Sequence, residues 1–375
     1  MSATILEIDN RIRQLEILPV NLDGDFAYHI GETVDSSIVL KQPNLTLYAL
    51  DDSRRQAVFV ETPLEVDLSR HPFYYMAQYE HAQQLVAVPY TDLMLLADSV
   101  GPIEHLILIQ SIGRCGSTLM SKILNEVDHV LSLSEPDVYS NLLWLRAEDP
   151  SRDAEYTDLL RACTRLLCKP SPQNSAPQVY ALKFRNWVIR LGDLLYTALP
   201  DSKNLFLYRH AETWMASFAR LMGSIPEEER PRMMEQFVPV MMRFQPELIA
   251  LTETLGGRMP TNGERTAVSW RAMIEQYETW IEQGIPYLAV RYEDLNAHRE
   301  LVVRAIFDYC GLSTADVETA LIAFERDSQA GTRLSRQQGN KTQAEESEII
   351  ALHDMLAAHD TINTPDYIAP KTLTI

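Results

Sequence analysis

One short segment of the sequence combines glycines, hydroxyl-bearing residues and a cation. Its residues are Gly113, Arg114, Cys115, Gly116, Ser117 and Thr118. The segment follows an apolar run of strand length, Leu106–Ile109, and precedes a helical pattern. Glycines let such a turn approach a ligand closely, and backbone N–H groups at a helix start bind anions. The segment therefore predicts a loop that binds phosphate or sulfate, with a capped turn that binds no ligand as the alternative.

The loop lacks the Gly-Lys pair of the usual nucleotide-kinase pattern, GxxxxGK[ST]. Arg114 stands before the second glycine instead. This weakens the interpretation as a Mg-dependent NTPase. Two alternatives stay open: a nucleotide kinase with a degenerate P-loop, and a non-catalytic module that only binds a nucleotide.

A second cation stands at the end of another apolar run. Arg209 directly follows Leu205–Tyr208, and Ser217 comes eight residues after it in a helical pattern. Open α/β sheets bind ligands at the carboxyl ends of their strands, and the planar guanidinium suits phosphate oxygens. The pair predicts a second anion contact, with a salt bridge of Arg209 and close packing of Ser217 as the alternative.

A third segment, Arg291-Tyr292-Glu293-Asp294-Leu295, follows these two in the chain. Together, and in this order, the three segments resemble the motifs of the sulfotransferases that use 3′-phosphoadenosine-5′-phosphosulfate (PAPS). The resemblance covers residues 106–339 and belongs to the branches with arginine, not lysine, in the first loop. It implies that the loop binds the 5′-phosphosulfate, that Arg209 and Ser217 bind the 3′-phosphate, and that Tyr292 stacks on adenine. A looser match over residues 326–336 adds a C-terminal nucleotide contact. The cofactor-binding residues so implied are Gly113, Arg114, Cys115, Gly116, Ser117, Thr118, Arg209, Ser217, Tyr292 and Arg333.

Two residues are predicted to act in catalysis. Sulfuryl transfer builds charge on the bridging oxygen, which N–H donors and a cation can stabilise without a metal, and Arg114 is the predicted cation. The general base is predicted at the carboxyl end of the second parallel strand. Glu135 stands there, and the resemblance implies a glutamate base at this place; a plain helix start is the alternative. Rival bases are the histidines His81, His105, His129 and His210.

The elements that hold these residues are predicted from apolar runs. Five runs alternate with helical patterns, which is typical of a parallel sheet covered on both faces. They are Leu106–Ile109, His129–Leu133, Tyr180–Phe184, Leu205–Tyr208 and Tyr287–Val290. We expect an α/β fold, a three-layer α/β/α P-loop domain over residues 101–375 with a helical insertion at about 223–263. Residues 1–100 are predicted to form an α+β appendage on the acceptor side, with strands at Ser37–Leu40 and Ala57–Val60 and a helix at Phe73–Leu85.

Composition narrows the class of partner. The chain of 375 residues is 46% hydrophobic and carries a net charge of −19. Such a chain is globular and a poor candidate for binding duplex nucleic acid or anionic lipid. The acidity favours a neutral or cationic small-molecule acceptor. The four cysteines form no CxxC pair, and no signal peptide or membrane span is recognised, so we expect a cytoplasmic protein without a zinc site or disulfides.

Overall fold

The structure, a computed structural model, describes residues 1–223, 225–332, 335 and 345–375. Within these ranges, the strands are β1 Ala3–Arg11, β2 Phe26–Val34, β3 Leu45–Asp51, β4 Gln56–Glu61, β5 Gln84–Pro89, β6 Leu106–Ser111, β7 Val130–Ser134, β8 Val179–Lys183, β9 Lys203–Tyr208 and β10 Tyr287–Arg291. The α-helices are α1 Leu22–Asp25, α2 Ile38–Lys41, α3 Tyr74–His81, α4 Tyr90–Val100, α5 Ser117–Asn125, α6 Val138–Glu148, α7 Asp153–Leu167, α8 Gly192–Ala198, α9 Ala211–Gly223, α10 Arg230–Phe244, α11 Pro246–Thr254, α12 Asn262–Glu282, α13 Tyr292–Ala297, α14 Arg299–Cys310, α15 Val317–Leu321 and α16 Glu346–Ala357.

The strands form two five-stranded sheets. The first has the order β2-β1-β5-β4-β3 and is antiparallel. The second is parallel, has the order β10-β9-β6-β8-β7 and is flanked by helices. Every residue of β6 and of β7 is buried, as expected for parallel strands covered on both faces. The predicted α/β fold is confirmed, and the five predicted apolar runs coincide with β6 to β10.

The chain forms two compact units. The N-terminal unit comprises residues 1–108 and 124–202, and the C-terminal unit comprises residues 109–123 and 203–375. The N-terminal unit holds the antiparallel sheet together with β7 and β8. The C-terminal unit holds β9, β10 and the phosphate-loop segment. The division into two units does not test the predicted boundary near residue 100 between an appendage and a catalytic domain, and that boundary stays a prediction.

One prediction for the N-terminal region was wrong, and one predicted helix is present but shorter. Ser37–Leu40 was expected as a strand, but the chain forms the one-turn helix α2. The turn before it explains the difference, because Asp35 accepts hydrogen bonds from the backbone N–H of Ser37 at 2.8 Å and of Ile38 at 3.1 Å. The helix predicted over Phe73–Leu85 ends at His81, since strand β5 begins three residues later. The predicted strand at Ala57–Val60 lies within β4.

The last residues of the chain contact the edge strand of the parallel sheet. The backbone N–H of Ala289 in β10 donates to the carbonyl of Lys371 at 3.0 Å, and the N–H of Leu373 donates back to Ala289 at 2.9 Å. Tyr208 in β9 donates to or accepts from Thr372 at 2.8 Å. The tail thereby adds a short parallel bridge outside β10.

The remaining observations concern residues 223–263, the cysteines and the length of the helices. The region from Gly223 to Gly263 is helical through α10 and α11, as predicted. All four cysteines are buried free thiols. In the described ranges, no helix has the length and apolar character that crossing a membrane requires.

Candidate active site

The loop between β6 and α5 has an unusual backbone. Gly113, Arg114 and Gly116 have φ angles of 76°, 52° and 84°, so three of four consecutive residues are left-handed. This conformation is easy for glycine and costs energy for arginine. Outside glycine, only three other residues in the described ranges share it: Arg55, Glu135 and Lys371. The strain at Arg114 is thus a candidate mark of function.

Neighbouring side chains hold this loop in place. The backbone N–H of Ile112 donates to the carbonyl of Leu207 in β9 at 3.1 Å, and the thiol of Cys115 donates to the same carbonyl at 3.1 Å. The indole N–H of Trp214 donates to the carbonyl of Gly113 at 2.8 Å. Cys115 therefore acts here as a small buried side chain that ties the loop to β9.

Gly116 occupies a position where no larger residue fits. A Cβ atom built on Gly116 would lie 2.7 Å from Cδ2 of Tyr292. Real Cβ atoms do not approach other atoms so closely, so the tyrosine ring and the loop backbone can meet only at a glycine. Tyr292 follows β10 directly and brings its ring to the loop.

Two hydroxyl groups stand at the start of α5. The side chains of Ser117 and Thr118 are buried. The Thr118 hydroxyl oxygen accepts from Nε2 of Gln329 at 3.1 Å. Since that oxygen already accepts, its own proton is available for a different partner. Gln329 comes from the segment compared above with the family's C-terminal loop, whereas Arg333 lies outside the described residues.

Arg209 lies beside this loop because of the strand register. β9 and β10 pair with Tyr208 opposite Arg291, so the residues that follow them, Arg209 and Tyr292, leave the sheet side by side. The guanidinium of Arg209 stacks 4.3 Å from the centre of the Tyr292 ring and donates to the carbonyl of Arg114 at 2.9 Å. Its Nε also donates to Thr213 at 3.0 Å. The indole N–H of Trp270 binds the carbonyl of Arg209 at 2.9 Å, which fixes the strand end.

Arg114 directs its side chain to the same place. Its Nε donates to the hydroxyl of Ser217, two turns into α9, at 3.0 Å. Burial lowers the pKa of Arg114, and the nearby charges of Arg209 and Arg220 lower it further. Among the described residues, no carboxylate pairs with Arg114, and the carboxylate of Glu293 lies 4.0 Å from Nε of Arg209. Closely placed guanidiniums with little counter-charge can bind an anion.

Glu135 belongs to the N-terminal unit, where β7 and β8 end side by side with Ser134 opposite Lys183. Its φ is 64°, and its N–H donates to the carbonyl of Lys183 at 2.6 Å. The carboxylate of Glu135 forms an ion pair with the ammonium of Lys183, and the two side chains are 13% and 5% exposed. A strained backbone thus presents a carboxylate at the carboxyl end of a parallel strand.

The residues beside this pair are firmly fixed. Arg185 pairs with the buried carboxylate of Asp137 at 2.9 Å and donates to the carbonyl of Leu18 at 3.2 Å. Its guanidinium lies 4.9 Å from the ring centre of Tyr75 and 4.1 Å from that of Trp187. Lys183 and Arg185 are therefore both buried, 4% and 6% exposed.

The four histidines considered as alternative general bases are placed less favourably for that role than Glu135. His105 and His129 directly precede β6 and β7, at the amino ends of parallel strands, where the sheet does not bind ligands. The ring of His81 packs edge-on against that of His71 at 5.7 Å, and His210 lies 3.3 Å from Nη1 of Arg291. None of these positions favours them over Glu135.

Comparison with known proteins decides the family. The model of the sulfotransferase domain matches residues 104–349. The chain belongs to the sulfotransferase family. Sulfonate transfer is therefore its general activity. No curated protein matches this sulfotransferase in sequence.

Solved structures of sulfotransferases resemble it at low identity. A sulfotransferase domain from the curacin biosynthetic pathway is 16% identical with a TM-score of 0.40, over 68% of this chain and 98% of that one. The domain from the Synechococcus PCC 7002 olefin synthase is 15% identical with a TM-score of 0.35, over 68% and 95%. Sulfotransferase STF9 from Mycobacterium avium is 12% identical with a TM-score of 0.38, over 80% and 88%.

Several residues of the candidate site carry little or no signal in the sequence. Trp214 and Trp270 donate hydrogen bonds to backbone carbonyls, and Gln329 donates one to a hydroxyl. No local sequence pattern marks residues of this kind. Lys183 stands at the end of an apolar strand, which is the one hint that it faces the carboxyl edge of the sheet. In the part of the chain that the structure describes, no three His, Cys, Asp or Glu side chains are grouped as metal ligands would be.

Proposed function

We propose that the sulfotransferase moves a sulfonate group from PAPS to the hydroxyl or amine of a small molecule. The observation that supports this donor best is the cluster of Arg114, Arg209 and Ser217 beside the loop of residues 113–118. Two guanidiniums and a hydroxyl meet there with little counter-charge. A nucleotide with two separate anionic groups would balance that charge.

The donor set of the C-terminal unit suits such a nucleotide. Guanidinium, hydroxyl and backbone N–H groups are the usual ligands of phosphate oxygens. The loop N–H groups with Ser117 and Thr118 would hold the 5′-phosphosulfate, and Arg209 with Ser217 would hold the 3′-phosphate. Tyr292 has one ring face on Arg209 and would offer the other face to adenine. When bound, the donor supplies the sulfonate and a stable bisphosphate leaving group.

Glu135 is our proposed general base. It would accept the proton that the acceptor's hydroxyl or amine loses as the new bond to sulfur forms. Its ion pair with Lys183 balances the carboxylate charge inside a mostly buried environment. The N-terminal region contacts the residue before Glu135, since the hydroxyl of Ser134 donates to the carbonyl of Pro72 at 2.7 Å. This contact supports an acceptor-side role for residues 1–100.

The acceptor is proposed to be neutral or cationic, in keeping with the net charge of −19. Arginine and N–H donors can stabilise the charge that develops during sulfuryl transfer, so the proposed reaction uses no metal. We further propose that the protein acts in the cytoplasm.

Donor binding and transfer are tested separately. Calorimetry should show binding of 3′,5′-bisphosphoadenosine (PAP) that a chelator does not change. Equal affinity for adenosine 5′-monophosphate (AMP) would contradict the PAPS assignment. Mass spectrometry of candidate extracts incubated with PAPS should then reveal compounds that gain a sulfonate only when active protein is present, with the Glu135→Gln variant as the control.

A further inference from the structure

The segment between β1 and α1 contacts the end of β8 in the N-terminal unit. Arg185, which follows β8 by two residues, donates to the carbonyl of Ile17 and, at 3.2 Å, to that of Leu18. Arg13 also donates to the carbonyl of Leu18. Residues 14–19, which we call the N-terminal strap, are thereby fastened to the carboxyl edge of the parallel sheet.

Tyr75 places this strap close to Glu135. Its hydroxyl donates to the carbonyl of Glu16 at 2.9 Å. Its ring centre lies 4.9 Å from the guanidinium of Arg185 and 5.3 Å from that of Arg13. Burial raises the pKa of Tyr75, the charge of Arg185 lowers it and the charge of Glu135 raises it. The proposed base is therefore near the tyrosine that binds the strap.

Half-buried apolar residues lie next to the ends of both β7 and β8. Among residues 130–140, Glu135 alone is not buried, so this part of the sheet edge meets solvent at its carboxylate. Residues 17–19 of the strap are apolar and half-buried. Phe73 is half-buried as well, and it directly follows the proline whose carbonyl binds Ser134. An acceptor that reaches the carboxylate would therefore meet apolar surface.

The buried charged groups at this edge are paired with one another. They form three ion pairs: Lys183 with Glu135, Arg185 with Asp137, and Arg13 with Asp25. The carboxylate of Glu16 on the strap is exposed and would repel an anionic acceptor. A charged part of an acceptor would find its counter-ions already engaged here, whereas an apolar part would gain free energy by leaving water.

We propose that the N-terminal strap and Phe73 form an apolar wall of the acceptor site, and that the acceptor carries its hydroxyl or amine on an uncharged, apolar body. The proposal rests on the proposed function, because it takes Glu135 as the base. It places acceptor selectivity outside the matched sulfotransferase domain, which begins at residue 104. Leu18 and Phe73 would contact the acceptor, and Arg185 would act through the strap as a positioning residue.

Straight-chain primary alcohols from ethanol to octanol, incubated with radiolabelled PAPS, test the wall. In each reaction the alcohol oxygen forms a bond to sulfur, the bond from sulfur to the 5′-phosphate oxygen breaks, PAP leaves and Glu135 takes the alcohol proton. We expect kcat/KM to rise about two- to fourfold with each added methylene, because each one leaves water for the wall.

Two substitutions locate the wall. Leu18→Ser and Phe73→Ser should each lower kcat/KM for octanol about tenfold and for ethanol less than about twofold. PAP affinity, measured by calorimetry, should stay unchanged and shows that the variants are folded. The matched control is Ile30→Ser, which removes an apolar side chain of the same unit that is 75% exposed. It should leave the whole series unchanged.

Each other outcome has a distinct meaning. Equal kcat/KM for all alcohols in the wild type would overturn the proposal, and so would a rise that both variants leave intact. If the wild type binds PAP but sulfonates none of the alcohols, the wall is wrong, and the extracts alone decide the proposed function. If PAP does not bind either, the proposed function itself fails.

Hydrogen exchange gives a readout that needs no turnover. With PAP bound, added octanol should slow exchange of the backbone amides in the N-terminal strap, because a chain seated against the strap excludes water from it. Ethanol at the same concentration should not slow it, and Leu18→Ser should remove the effect of octanol. Exchange in the strap that octanol leaves unchanged would contradict the proposed wall.

Discussion

Arginine side chains are buried in both units, but their charges are balanced in one unit and not in the other. In the N-terminal unit, Arg185 pairs with Asp137 at 2.9 Å and Arg13 pairs with Asp25 at 2.7 Å, with all four side chains at most 6% exposed. In the C-terminal unit, Arg114 and Arg209 contact hydroxyls, carbonyls and an aromatic ring, and the nearest carboxylate is 4.0 Å away.

This difference distinguishes arginines that pair within the protein from the arginines that we propose bind the donor. A buried ion pair whose members satisfy each other holds segments of the chain together and attracts no further ion. Two neighbouring cations with little counter-charge destabilise the empty protein, and such an arrangement is typical of a functional site. Substitutions among the arginines of either unit test this difference.

The largest effect is expected where a balanced pair is broken. Arg185→Met would leave the carboxylate of Asp137 buried without its partner, and burial already raises the pKa of Asp137. Removing one partner of such a pair costs about 3–5 kcal/mol. Urea unfolding should show a loss of this size in the free energy of unfolding. A loss below about 1 kcal/mol would mean that Arg185 is not a structural arginine.

The next largest effect is expected at the third charged pair, Glu135 with Lys183. Glu135→Gln keeps the shape of the side chain and removes the proton acceptor. Turnover should fall about a hundredfold or more, while PAP affinity changes little. If Glu135 only started a helix, the same change would cost at most about 1 kcal/mol of stability and leave turnover intact. Turnover and melting temperature measured together distinguish these results.

A smaller effect is expected when an unbalanced cation is removed. Arg209→Ala should weaken PAP binding about ten- to hundredfold. Its free energy of unfolding without nucleotide should change far less than that of Arg185→Met, because the carboxylate nearest to Arg209, that of Glu293 at 4.0 Å, is 25% exposed and keeps its hydrogen bond from Thr213. Calorimetry and urea unfolding of the two variants side by side check the comparison. Equal destabilisation by both would remove the distinction between the clusters.

The smallest effect, counted per pH unit, concerns a cation balanced by carbonyl groups alone. The ammonium of Lys169 is bound by the backbone carbonyls of Val39, Gln42 and Leu45, and burial lowers the pKa of Lys169 to about 7. The unfolded chain then binds more protons than the folded one between pH 7 and the ordinary lysine pKa of 10.5. Stability from this group therefore rises with pH above 7, by at most about 1.4 kcal/mol per pH unit.

Lys169→Met is the variant that reveals this dependence. The free energy of unfolding of the wild type, measured from pH 7 to 9.5, should rise relative to that of the variant. Parallel curves would mean that the three carbonyls keep the ammonium protonated throughout that range. The charge of Lys169 would then be stabilised in the folded protein as the charges of Arg13 and Arg185 are, although Lys169 is bound by carbonyl groups and not by a carboxylate.

The parallel sheet was predictable from sequence because burial on both faces requires nearly continuous apolar runs. Leu106–Ile109 and Leu205–Tyr208 carry that signal without ambiguity. The signal fails for short elements. Ile38-Val39-Leu40 is equally apolar, yet the turn at Asp35 winds it into a helix, and an apolar run of three or four residues does not distinguish the two structures.

The site was predictable only where chemistry is local. The loop of residues 113–118 and the residues that follow β9 and β10 stand next to recognisable strands. The contact of Arg114 with Ser217 and the pairing of Glu135 with Lys183 join residues far apart in the chain. They depend on side-chain directions that no spacing in the sequence encodes.

The tail that bridges to Ala289 has a consequence for solubility. β10 is the outer strand of its sheet, and an outer strand with unpaired N–H and C=O groups is a template for pairing with another chain. Residues 371–373 use the N–H and the C=O of Ala289 in the middle of that strand and so interrupt the template. They lie beyond the stretch that matches the sulfotransferase domain, which ends at residue 349. A chain trimmed to that stretch would expose a continuous edge and would be prone to self-association.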